Sequence, residues 1–93
     1  MRIEAEQFGP ILVSRPSGRE SALALLSNRK DLKAGDAVTL SFSESTVVAP
    51  SWLDEFVNGL SQHGIKVLFE KTVNPSANAS IETILEAKKK VDP

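Results

Sequence analysis

Apolar and polar positions alternate along this chain with two periods, one of two residues and one close to 3.6, and segments of the two kinds follow each other. Ile3 and Ala5 interleave with Arg2, Glu4 and Glu6, a period of two that predicts a short edge strand with one wet face. Phe8-Gly9-Pro10 breaks that pattern. The continuous apolar run Ile11-Leu12-Val13 then predicts a strand inside the sheet, and the two pieces together read as a hairpin. Ser14-Arg15-Pro16 ends this strand, and Ser17-Gly18-Arg19-Glu20 has the spacing of a capping box. Ala22, Leu23, Leu25 and Leu26 follow as the apolar stripe of a helix that frays around Asn28 to Lys30.

The polar segment 31–36, with Gly35, leads into a strand over 37–42 in which Val38, Leu40 and Phe42 alternate with Thr39 and Ser41. Residues 43–46 are polar and Val47-Val48-Ala49 is a short apolar step. Pro50 suits the first position of a helix, where its missing N–H would be unpaired anyway. Trp52, Leu53, Phe56, Val57 and Leu60 form one face of that helix, and Gly64 supplies a left-handed stop. A strand over 65–69 follows. Asn74-Pro75 then opens a last helix that buries Ala77, Ile81, Ile84 and Leu85 and closes on Lys88-Lys89-Lys90. The order strand, strand, helix, strand, helix, strand, helix predicts an α/β fold: a mixed, mostly parallel sheet of about four strands with three helices.

Composition narrows the functional classes. Ninety-three residues, 41% of them hydrophobic and 25% charged, predict a single globular domain over residues 1–93. Eleven basic residues nearly balance 12 acidic ones, so the positive field of a nucleic-acid binder or a membrane-surface protein is missing. The chain has no cysteine, which excludes disulfides, thiolate catalysis and cysteine zinc sites. The acidic N-terminal segment and the lack of a long apolar window predict a cytoplasmic protein.

Candidate chemistry is sparse. Ser51, second in the helix that starts at Pro50, lies at the positive end of a helix dipole, where a phosphate is locally favoured. Ser14 and Arg15 follow a strand and precede a helix, a common place for ligand contacts; the alternative for Arg15 is an ion pair with an acid such as Glu20 or Glu44. Asp54 and Glu55 read as first-turn acids that complement the helix dipole, and His63 as a C-terminal cap. One histidine builds no histidine metal cluster, and the isolated glycines form no phosphate-binding loop, so no cofactor and no catalytic residue is expected.

Three ordered blocks carry a family likeness: Phe8-Gly9 with Val13-Ser14-Arg15, then Val38-Thr39-Leu40-Ser41-Phe42, then Pro50-Ser51-Trp52-Leu53-Asp54-Glu55-Phe56. Over residues 8–85 the chain resembles the STAS-like domain family of unknown function, which is similar to the STAS domains of bacterial anti-sigma factor antagonists. The antagonists carry aspartate, serine, serine and glycine where this chain has Ala49, Pro50, Ser51 and Trp52. The Ser51-Trp52 pair follows the STAS-like branch. The resemblance implies a non-enzymatic signalling module that docks a histidine-kinase-type ATPase or an anti-sigma-like regulator through Pro50, Ser51, Trp52 and Glu55, with Ser51 as the phosphoacceptor. The competing expectations are a small-ligand or nucleotide sensor built on Ser14 and Arg15, and a homodimer paired through exposed edges or apolar surface near Trp52.

Overall fold

In the computed structural model the chain is described over residues 1–91, with side chains through residue 87; the expected basic run Lys88 to Lys90 has its side chains outside the described residues. Five strands and three α-helices follow in the order β1 (Arg2–Glu4), a 3-10 turn (Ala5–Phe8), β2 (Ile11–Leu12), α1 (Arg15–Asn28), β3 (Ala37–Ser41), β4 (Val47–Val48), α2 (Pro50–Ser61), β5 (Lys66–Phe69) and α3 (Pro75–Val91).

The strands form two parallel sheets, β1-β3-β5 and β2-β4. The expected hairpin of the first two strands does not form. Each pairs instead with a strand far along the chain, β1 with β3 and β2 with β4. The 3-10 turn at Ala5–Phe8 and Gly9, at φ 128°, carry the chain from one sheet to the other rather than back along the same one. Every strand pairing among the described residues is parallel, so the sheet is not mixed. Val47-Val48, expected only as an apolar step, forms the strand β4 and brings the strands to five.

Register decides which side chains share a face. Ile3, Leu40 and Phe69 lie in one row and Val38 and Val67 in another, and both rows turn toward the helices. The opposite face carries Arg2, Thr39 and Leu68 in one row and Glu4 and Ser41 in the next. Arg2, Glu4, Lys66 and Leu68 on that face are exposed, so it faces water. Arg2 crosses it to hold Glu70 through two bonds, Nε to Oε1 at 2.9 Å and Nη2 to Oε2 at 3.0 Å. The guanidinium hydrogen bonds and charge hold the Glu70 carboxyl below its usual pKa, and Glu70 in turn raises that of Arg2.

α2 is the helix around which the rest packs. All five residues of its expected stripe, Trp52, Leu53, Phe56, Val57 and Leu60, are buried. Each contributes about 2 kcal/mol of transfer free energy. Trp52 stacks on Phe56 with ring centres 5.0 Å apart, and Phe8 tilts against both. Against this helix lies α1, whose buried residues are Gly18, Ser21, Ala22 and Leu25. The small residues let the two backbones approach: a Cβ on Gly18 would collide with the Trp52 carbonyl oxygen, and one on Gly59 would come within 2.8 Å of the Ala22 Cβ. Leu23, expected in the α1 stripe, and Leu85, expected in the α3 stripe, are instead exposed. Close packing of α1 demands small residues, and Ser80 takes a buried place on α3 through a hydrogen bond to the Val48 carbonyl.

Candidate functional site

The two candidate regions picked out along the chain come together in space. β2 and β4 run side by side, so the helices that follow them, α1 and α2, start at the same end of the molecule. Ser14 is the N-cap of α1, its Oγ accepting from the Ser17 N–H at 3.1 Å. The expected cap at Ser17 is therefore displaced by three residues: Pro16 sits inside the first turn, where a missing N–H breaks no helical bond. Ser14 thus has its side chain committed to holding the helix start, which costs about 1 kcal/mol to lose.

α2 begins differently. Ala49 occupies its N-cap position and provides no side-chain bond. Ser51, half-buried, donates its hydroxyl proton to the Val13 carbonyl oxygen at 3.0 Å and so ties the start of α2 to the end of β2. Arg15, Pro50, Ser51 and Asp54 line one side of a depression of about 150 Å³, and Thr83 and Ile84 of α3 line the other.

Arg15 pairs with neither Glu20 nor Glu44. Its Nη1 lies 3.1 Å from Asp54 Oδ2 and 3.6 Å from Glu55 Oε1, while Arg19 Nη2 reaches Glu55 Oε1 at 3.5 Å. Asp54 and Glu55 stand beyond the first turn of α2, so their task is this cross-helix pairing and not compensation of the dipole. Arg15 and Arg19 are more than half exposed, and each such pair is worth at most about 1 kcal/mol. His63 does sit at the end of α2, with Nδ1 3.1 Å from the Gly59 carbonyl.

Of the expected docking residues, Pro50, Ser51 and Glu55 are half-buried and accessible. Trp52 is not: it is completely buried, because the first turn of α2 rolls the indole into the aromatic cluster with Phe8 and Phe56. It offers a partner no surface and shapes the site from beneath. The apolar surface expected near Trp52 for pairing two copies is correspondingly absent from that residue. Its Nε1 has no hydrogen-bond acceptor among the described residues.

A second polar centre was not anticipated by its role. Asn74, 1% exposed, uses both amide hydrogens and both lone pairs. Nδ2 donates to the carbonyls of Ser43 and Thr46, each at 2.6 Å; Oδ1 accepts from the Ala77 N–H at 3.0 Å and from Ser76 Oγ at 2.8 Å. Ser76 Oγ also accepts from the Val48 N–H at 3.1 Å. The loop after β3, the strand β4 and the start of α3 are thereby pinned on one side chain.

Among the described residues no three histidine, aspartate or glutamate side chains converge as metal ligands, and no helix is long and apolar enough to cross a membrane. Comparison with protein-family models, with curated proteins and with solved structures returns no match.

Proposed function

We propose that this chain is a cytoplasmic, non-enzymatic regulatory module of STAS-like fold that docks a histidine-kinase-type ATPase or an anti-sigma-like regulator through the surface around Pro50, Ser51 and Glu55, and that phosphorylation of Ser51 switches the docking. The observation that carries this reading is the bond from Ser51 Oγ to the Val13 carbonyl at an uncapped helix start beside Arg15. Phosphorylation removes the hydroxyl proton, so the bond to Val13 is lost and a group of nearly two negative charges meets a carbonyl oxygen. The N-terminus of α2 and the Arg15 guanidinium attract that charge, while Asp54 repels it. Arg15 then exchanges its carboxylate partners for the phosphate, and the charge pattern that a partner reads changes.

Incubation with ATP and histidine-kinase-type ATPases of the same organism, followed by mass spectrometry of the peptide containing Ser51, tests the switch. The expected result is a modified Ser51 and binding altered by Ser51→Glu. Unmodified Ser51 with binding indifferent to Ser51→Glu removes the switch; absence of any binding removes the module. The ligand-sensor alternative has less support, because Ser14 is occupied as a cap and Arg15 as an ion-pair partner. A thermal shift with nucleotides or anions that disappears in Arg15→Ala would restore it.

A further inference from the structure

The parallel strands β3 and β5 end side by side, at Ser41 and Phe69, and the loops that leave their carboxyl ends border a depression of about 490 Å³. Phe42, Ser43 and Glu44 line it from the first loop, and Lys71, Thr72 and Val73 from the second. The space outside the carboxyl ends of parallel strands is where open α/β sheets hold small ligands, and this volume is of the size such ligands need. Asn74 keeps the two loops in place. Its Nδ2 donates to the Ser43 carbonyl at 2.6 Å, and its backbone N–H donates to Thr72 Oγ1 at 3.0 Å. Thr72 Oγ1 in turn donates to the Phe42 carbonyl at 3.4 Å, so the loops are tied to each other before any ligand arrives.

The lining is chemically selective. Its two hydroxyls are already spent: Thr72 Oγ1 on the bonds just given, and Ser43 Oγ on a bond shared with Thr46 Oγ1 at 2.8 Å. Its two charges are not. Glu44 and Lys71, both exposed, form no ion pair among the described residues. Apolar surface completes the lining through Phe42 and through Val73, which at 73% is the most exposed large hydrophobic side chain of the described residues. A groove of about 470 Å³ beside α1 offers a contrast: it presents Arg2 and Arg29, but Glu70 and Asp31 already hold both guanidiniums.

We infer that this depression binds a free α-amino acid with an aliphatic side chain. Lys71 Nζ donates to the carboxylate of the ligand, Glu44 accepts from its ammonium group, and its side chain lies on Phe42 and Val73. One free charge of each sign selects a zwitterion. Nucleotides and other polyanions are disfavoured because Glu44 repels them, and the spent hydroxyls leave little to recognise a sugar. No group of the surface around Ser51 takes part, so this site stands or falls independently of the docking reading.

The probe is L-leucine, titrated into the full chain while the backbone amides are followed by NMR. The expected result is a saturable shift centred on residues 42–46 and 70–74. N-acetyl-leucine lacks the ammonium group and leucinamide lacks the carboxylate, and each should bind at least about tenfold more weakly. Glu44→Gln and Lys71→Gln change exposed side chains, so the unfolding midpoint should stay where it is while leucine binding falls by at least about tenfold. The variants also separate recognition from mere support. Lys71→Gln should lose the preference for leucine over leucinamide, and Glu44→Gln the preference for leucine over N-acetyl-leucine. No saturable shift below about 10 mM, or shifts only outside the two loops, overturns the inference. Equal binding of leucine and its two blocked forms, unchanged binding in both variants, or glycine binding as tightly as leucine overturns it as well.

Discussion

The starts of α2 and α3 lie in the same small domain and are built on opposite principles. α3 starts at a buried asparagine whose four hydrogen-bonding positions are all used, two of them on carbonyls 31 and 28 residues away in sequence. α2 starts at an alanine with no side-chain cap, and one half-buried hydroxyl, beside the backbone bond from the Ala49 N–H to the Leu12 carbonyl, ties it to the neighbouring strand. α2 can do without a cap because its own stripe is buried on every turn; α3, with a more mixed face, is fixed by polar chemistry at its beginning. A start secured by burial leaves its surface groups free for other work. One secured by a saturated polar network does not.

The largest expected effect tests the α3 side of this contrast. Asn74→Ala strands the Ser43 and Thr46 carbonyls in the interior and removes the cap on Ala77, and should cost about 3 to 5 kcal/mol in urea unfolding. A loss below about 1 kcal/mol would break the comparison. Gly18→Ala tests whether burial secures α2: its added methyl meets the Trp52 backbone, which cannot yield as a flexible side chain can. A loss of about 2 to 3 kcal/mol is expected, with the near-ultraviolet signal of Trp52 changed. An unchanged midpoint would show that the α1 and α2 backbones are not in such close contact.

Ser51→Ala should be mild, about 1 kcal/mol or less, since one partly exposed neutral bond is lost. The sharpest form of the comparison is the ratio of the Asn74→Ala and Ser51→Ala effects. The smallest effect is that of the clasp on the open sheet face. Glu70 has a folded pKa below its unfolded one, so its contribution is present above the usual carboxylate range and disappears as the pH falls through its depressed value. Glu70→Gln should therefore lower the neutral plateau of the stability curve slightly, leave stability unchanged below the depressed pKa, and so flatten the acid limb.

The elements formed by a local pattern were legible in the sequence. The α2 stripe, the alternation of Val38, Leu40 and Phe42, and the proline starts of α2 and α3 all follow from neighbours within a few residues. What escaped depends on partners distant in sequence. Val47-Val48 is too short to announce a strand and becomes one only against Ile11-Leu12. The pairing of β1 with β3 has no signal in either segment. Asn74 reads as a helix start, but its two longest-range bonds cannot be inferred from Asn74-Pro75 alone. At the candidate site, Ser51 and Arg15 were each visible as residue types, whereas their shared depression exists only because β2 and β4 lie in parallel.

Asn74 has one further property, and it concerns chemical ageing. Asparagine deamidates when the backbone nitrogen of the next residue attacks the side-chain amide and closes a succinimide ring. Proline at position 75 has no N–H to lose in that step, so the amide on which the loop, the strand and the helix all depend is followed by the residue that blocks this route of decay. Asn58, in the middle of α2, is exposed and followed by Gly59, the partner that hinders ring closure least; there the helical backbone and a long bond from Nδ2 to Asp54 Oδ1 at 3.4 Å restrain the reaction. Slow storage damage should therefore begin on the surface of α2 and spare the side chain that pins the start of α3.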